Sequence, residues 1–73
     1  MALDLDHIFT YHAPTPDQIP KYEALRDAAR TFAEEIVNFT PPGADQSAAI
    51  RHVREAVFFA NASVALDGRL HTD

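Results

Sequence analysis

The sequence predicts an all-α protein, an antiparallel two-helix hairpin with an extended N-terminal arm that assembles into a compact homo-oligomer. Three features predict it. Apolar residues recur at alternating steps of three and four along two long stretches, a proline-rich turn separates them, and the second stretch carries more apolar surface than one partner helix can cover. A chain of 73 residues forms one domain, in a size range where folding commonly relies on staples or partners. It has no cysteine, so disulfides and thiolate-type zinc sites are excluded.

Residues 1 to 14 mix aspartate, histidine, aromatics and a proline without a sustained helical period. They predict a mostly extended arm with at most one turn, around Asp6 to Phe9. The hairpin domain is expected over 15–67, with a first helix over about 16–39, a turn over 40–44, a second helix over about 45–66, and a tail over 68–73.

Thr15, followed by Pro16 and by Gln18, is a helix-start signature: a hydroxyl to cap a free N–H, a proline at the first helical position, and a glutamine to close a capping box. Pro20 removes the N–H that would bond the Pro16 carbonyl, so the opening turn should be distorted. Tyr22, Leu25, Ala29, Phe32, Ile36 and Phe39 then form the apolar seam. Glu23, Asp27, Thr31, Glu34, Glu35 and Asn38 form a solvated acidic face.

Thr40-Pro41-Pro42-Gly43 breaks the helix. Asp45 or Ser47 is expected to cap the second helix and Asp67-Gly68 to stop it. Ile50, Val53, Val57, Ala60 and Val64 repeat the spacing and should face the first seam, the short turn making the pair antiparallel. At about 100° per residue, Phe58 and Phe59 fall on either side of that seam, where a lone hairpin leaves them in water. Few seam side chains stand against an ordering cost of about 1.5 kcal/mol per residue. We therefore expect Phe58, Phe59 or both to pack between subunits.

Hydrophobic residues make up 47% and charged residues 23% of the chain, a balance that predicts a packed protein and not a disordered one. The net charge of −5 argues against DNA or RNA polymers, whose affinity rests on cations meeting many phosphates. A small anion in a local basic pocket remains compatible with it. The N-terminus has neither a basic start nor a long apolar run, and no later stretch approaches a membrane span. The expected compartment is the cytosol.

His7, His12, His52 and His71 show no pair at helical metal spacing. No nucleophile constellation stands out, and Gly43 and Gly68 alone make no phosphate loop. The expectation is a protein that is not an enzyme and holds no metal or cofactor. Arg26 and Arg30, at i and i+4, repel each other unless an anion sits beside them. Glu23, Asp27 and Glu34 are candidates for that anion; so is a phosphate, which Arg26, at the edge of the apolar stripe beside Tyr22, could grip through two hydrogen bonds. Tyr11 suits either packing on a helix or stacking on a nucleobase, a contact of about 1–3 kcal/mol. His12 and Arg30 join Tyr11 and Arg26 as candidates through proximity.

The order of features is an arm tyrosine, a Thr-Pro-x-Gln helix start, Lys21-Tyr22-Glu23-Ala24-Leu25-Arg26-Asp27-Ala28, a proline-rich turn with an Asp, and Arg54-Glu55-Ala56-Val57-Phe58-Phe59-Ala60-Asn61-Ala62. It resembles the small phage anti-CBASS proteins over roughly Asp6 to Leu66. Those are cyclic-oligonucleotide sponges that share a helical hairpin domain with some anti-Thoeris sponges. The resemblance implies a non-enzymatic hexamer of hairpins in the cytoplasm of the infected bacterial host. It implies capture of the cyclic dinucleotides and trinucleotides made by defence cyclases, before the effector is triggered.

In that family an arm tyrosine stacks on a base of a cyclic dinucleotide, and a basic residue fifteen positions later reaches its phosphate. Those offsets fall on Tyr11 and Arg26. The family's second position is lysine, so Arg26 keeps the charge and changes its reach. Phe58-Phe59-Ala60 stands where better-known members have Gly-Phe-Met. Symmetry would let an acidic chain gather Arg26, Arg30, Arg51 or Arg54 from several subunits at one spot. From a different class, the alternative is a small acidic helical-bundle adaptor or inhibitor that binds a host protein through the Phe58 surface.

Overall fold

A computed structural model of the protein describes residues 2–72. Met1 and Asp73, the outer ends of the expected arm and tail, lie outside the described residues. The chain is all helical: α1 spans Leu5–Phe9, α2 Ile19–Phe39 and α3 Ala44–Leu66, with α2 and α3 packed as a hairpin.

The interface between α2 and α3 is made mostly by small and β-branched residues. Tyr22, Leu25, Ala29, Ala33 and Ile36 are half-buried on α2, and Ile50, Val53, Val57, Ala60 and Val64 on α3. The α3 stripe is the one its spacing predicts. The α2 stripe is not, since Phe32 and Phe39 are 55% and 84% exposed and Ala33 takes Phe32's place. A residue one step along a helix is rotated by about 100°, and an alanine there admits closer helix approach than a phenylalanine. Phe32 flanks the contact instead, and Phe39 is the last residue of α2.

The start of α2 also differs from expectation, beginning at Ile19 and not Pro16. Half of the capping box forms: Gln18 Oε1 accepts from the Thr15 N–H at 3.0 Å, but the Thr15 hydroxyl donates to Asp17 at 2.7 Å instead of accepting an N–H. That bond is the main cause holding the Asp17 carboxyl below its usual range. Pro20 leaves the Pro16 carbonyl without its helical donor, and the Lys21 N–H turns to Gln18 at 3.0 Å. Residues 16–18 are thus a turn leading into the helix.

At the other end of α2, Thr40 caps through its N–H and hydroxyl, both on the Ile36 carbonyl. The Gln46 amide then ties the turn together by donating to the Thr40 carbonyl at 3.1 Å. Neither Asp45 nor Ser47 caps α3. The N-cap is Gly43, with no side-chain hydrogen bond, and Asp45 lies within the first turn, where its charge favours the helix dipole. Asp67 and Gly68 close α3 in the left-handed region, at φ 54° and 70°, and the Gly68 N–H bonds the Ser63 carbonyl at 2.9 Å.

The arm is not extended throughout. Asp4 accepts from the His7 N–H at 3.1 Å and caps α1. Just before that helix the chain pairs with its own tail: Leu3 bridges His71, the Asp4 N–H bonds the Leu70 carbonyl at 2.9 Å, and the Thr72 N–H bonds the Ala2 carbonyl at 2.8 Å. Arg69 meets Asp4 at 2.6 Å.

The molecule is long for its size, 47 × 28 × 17 Å with a radius of gyration of 15.5 Å, against about 11 Å for a compact chain of this length. Among the described residues only Leu66, 8% exposed, is buried. Phe58 and Phe59 are 59% and 76% exposed and line different depressions, Phe58 beside Ala33 and Ile50, Phe59 beside Leu66 and Leu70.

Candidate functional site

Tyr11 lies in the irregular segment between α1 and α2, and its side chain is almost fully in solvent, 84% exposed. It does not pack on a neighbouring helix in the single chain. The residue after it is fixed, however. His12 Nε2 donates to the His7 carbonyl at 2.7 Å, and His7 Nε2 donates to the Leu66 carbonyl at 3.0 Å. A carbonyl only accepts, so both rings carry a proton on Nε2. The two rings meet edge to face with centroids 4.9 Å apart. The base of Tyr11 is therefore connected, by two hydrogen bonds, to the end of α3.

Arg26 is exposed on α2, and among the described residues no carboxylate lies within ion-pair distance of it. Arg30, one turn on, is engaged: its Nε donates to Glu34 at 3.1 Å, with the two side chains 81% and 62% exposed. The solvated-pair reading of Arg30 has its anion, whereas Arg26 has none among the described residues. Among the described residues, neither Tyr11 nor Arg26 lines any of the depressions described below.

An open apolar groove of about 570 Å³ lies between α2 and α3, flanked by Leu25, Phe32, Ile36, Val53 and Val57. His52, which also borders it, pairs weakly with Glu55 at 3.5 Å. A second depression of about 210 Å³ lies beside Arg30, Arg54 and Phe58. There the Arg54 guanidinium stands 6.0 Å from the Phe58 ring centroid, at the limit of a cation–π contact.

Among the described residues no group of three or more His, Cys, Asp or Glu could hold a metal ion, and no helix is long and apolar enough to cross a membrane. The arrangement presents an exposed aromatic face, a guanidinium and apolar grooves.

Sequence reasoning gave His7, Asp4 and Arg69 no role. Asp4 with His7 three residues on is a short capping pattern that could have been read. The bonds from His7 to Leu66 and from Asp4 to Arg69 join opposite ends of the chain, and no local pattern encodes them.

A family model described as the Acb2/Tad1 hairpin domain matches residues 1–65. No curated protein and no solved structure matches the chain.

Proposed function

Because the chain belongs to the Acb2/Tad1 hairpin family of anti-CBASS and anti-Thoeris sponges, which bind cyclic oligonucleotides, we propose that it is a phage anti-defence sponge. It binds cyclic dinucleotides, and cyclic trinucleotides as well, in the cytoplasm of the infected host and holds them without cleaving them. The family match over residues 1–65 carries this reading. The exposed Tyr11 ring supplies a stacking face, and Arg26, with no carboxylate at ion-pair distance among the described residues, supplies the phosphate contact. His12 holds the arm and Arg30 is already neutralised by Glu34, so both are secondary.

The sponge works as a homo-oligomer, a hexamer by family resemblance. A hairpin with one buried side chain among the described residues and an apolar groove of about 570 Å³ leaves much apolar surface uncovered, and contiguous exposed apolar surface marks an interface. Neighbouring copies cover these faces and bring Tyr11 and Arg26 together from different chains, closing a pocket that a single chain leaves open. The test is Tyr11→Ala and Arg26→Ala. Each should weaken a cyclic dinucleotide about tenfold or more, the scale of a lost stacking contact or charged hydrogen bond, while leaving the assembly's mass unchanged. Unaltered affinity in both would remove the site assignment.

A further inference from the structure

Tyr11 is exposed and has no packing of its own, so its direction is set by the backbone on either side of it. On its C-terminal side, His12 is bonded to His7, and His7 is bonded to the last turn of α3. On its N-terminal side, α1 is capped by Asp4, whose other carboxylate oxygen takes the Arg69 guanidinium at 2.6 Å. The strand-like pairing of Leu3 with His71 fixes the same corner. The tail half of this corner, residues 69–72, lies beyond the stretch that matches the family model.

We propose that Asp4, His7 and Arg69 are positioning residues for ligand capture: they clasp the two ends of the chain at the C-terminus of α3 and so aim the Tyr11 ring. This rests on the sponge reading above. The physical reasoning concerns ordering. A free arm samples many directions, and apparent affinity falls by the fraction of time the ring spends in the competent one. The clasp meets that cost during folding, before any ligand arrives. It does so with one charge-assisted hydrogen bond, two imidazole-to-carbonyl bonds and a short ladder, each weak alone and all converging on residues 2–12.

The experiment is calorimetric titration of the full-length protein with 3′,3′-cyclic GMP–AMP, cyclic di-AMP and a cyclic triadenylate, with circular dichroism and oligomer mass as controls. Arg69→Ala and His7→Ala should each weaken the dinucleotide that wild type binds by about five- to tenfold, as an arm competent for about a tenth to a fifth of the time requires. His7→Gln, which keeps a donor at the Nε2 position, should recover most of the loss. Made on top of Tyr11→Ala, Arg69→Ala should have no further effect, because the clasp acts through that ring. Wild-type affinity in both alanine variants, or an Arg69→Ala loss that persists undiminished without the tyrosine ring, would overturn the clasp alone. Wild-type protein that takes up none of the three probes would overturn the sponge reading and the clasp's role with it.

Discussion

The Arg69 guanidinium donates to the Asp4 carboxylate at 2.6 Å, joining the tail to the residue that caps α1. This hydrogen bond is the largest cause holding the Asp4 carboxyl below its ordinary range, and the His7 N–H is the next. Both act on the ionised form. The corner where the chain ends meet is thus sensitive to acid at one carboxylate.

The pH dependence follows from that sign. A carboxyl whose pKa is lowered by folding adds stability above its unfolded value, about 3.9, and loses that contribution as the pH falls through the lowered folded value. Thermal melts of wild type and Asp4→Asn should differ most near neutrality, wild type being the more stable, and converge in acid as the pH falls through the lowered folded value. A gap that widened in acid would contradict the assignment.

Leu66 is the pivot of the fold, as the single buried side chain among the described residues and the carbonyl that His7 holds. Leu66→Ala should destabilise the protein by about 2–4 kcal/mol, a fall in Tm on the order of 10–20 °C for a domain of this size. A shift of under about 3 °C would show that the site collapses around the smaller side chain.

Asn61 Oδ1 is enclosed, and among the described residues it has no hydrogen-bond donor. An unsatisfied buried acceptor costs about 1–3 kcal/mol, so Asn61→Leu should raise Tm by a few degrees. A lowered Tm would mean that a neighbouring copy supplies the donor in the assembly.

Arg30 and Arg26 separate by their partners. Arg30 has Glu34 in an exposed i,i+4 pair, a contact of about 0.3–0.5 kcal/mol. Arg30→Ala should therefore change ligand affinity by less than about threefold, whereas Arg26→Ala removes a charged hydrogen bond of about 1.5–3 kcal/mol. Equal losses in the two variants, read by calorimetry, would place Arg30 on the ligand as well.

How much of this was legible depends on how local the cause is. The α3 stripe of Ile50, Val53, Val57, Ala60 and Val64 was readable because helical period alone defines it. So was the stop at Asp67-Gly68, where the backbone turns left-handed. Phe32 was misplaced because strict three-four counting fixes a stripe only to within one residue, and the choice between Phe32 and Ala33 belongs to how closely α3 approaches. The N-cap of α3 was misread because Asp45 lies inside the first turn, one residue past the helix start. Of the candidate site, Tyr11 and Arg26 stand out by residue type and place in the sequence and are paired by the family resemblance, while the bonds that hold the arm are set by tertiary structure. His12 shows the difference: selected as a neighbour of Tyr11, it is found bonded to His7, and His7 was not selected at all.

The central claim is capture of an intact cyclic nucleotide, and it is tested most directly by titrating purified wild-type protein with a panel of cyclic dinucleotides and trinucleotides, then releasing and chromatographing the ligand. Saturable binding to at least one of them, with the ligand recovered uncut, is the predicted result. No binding across the panel, or recovery of linear products, would contradict it.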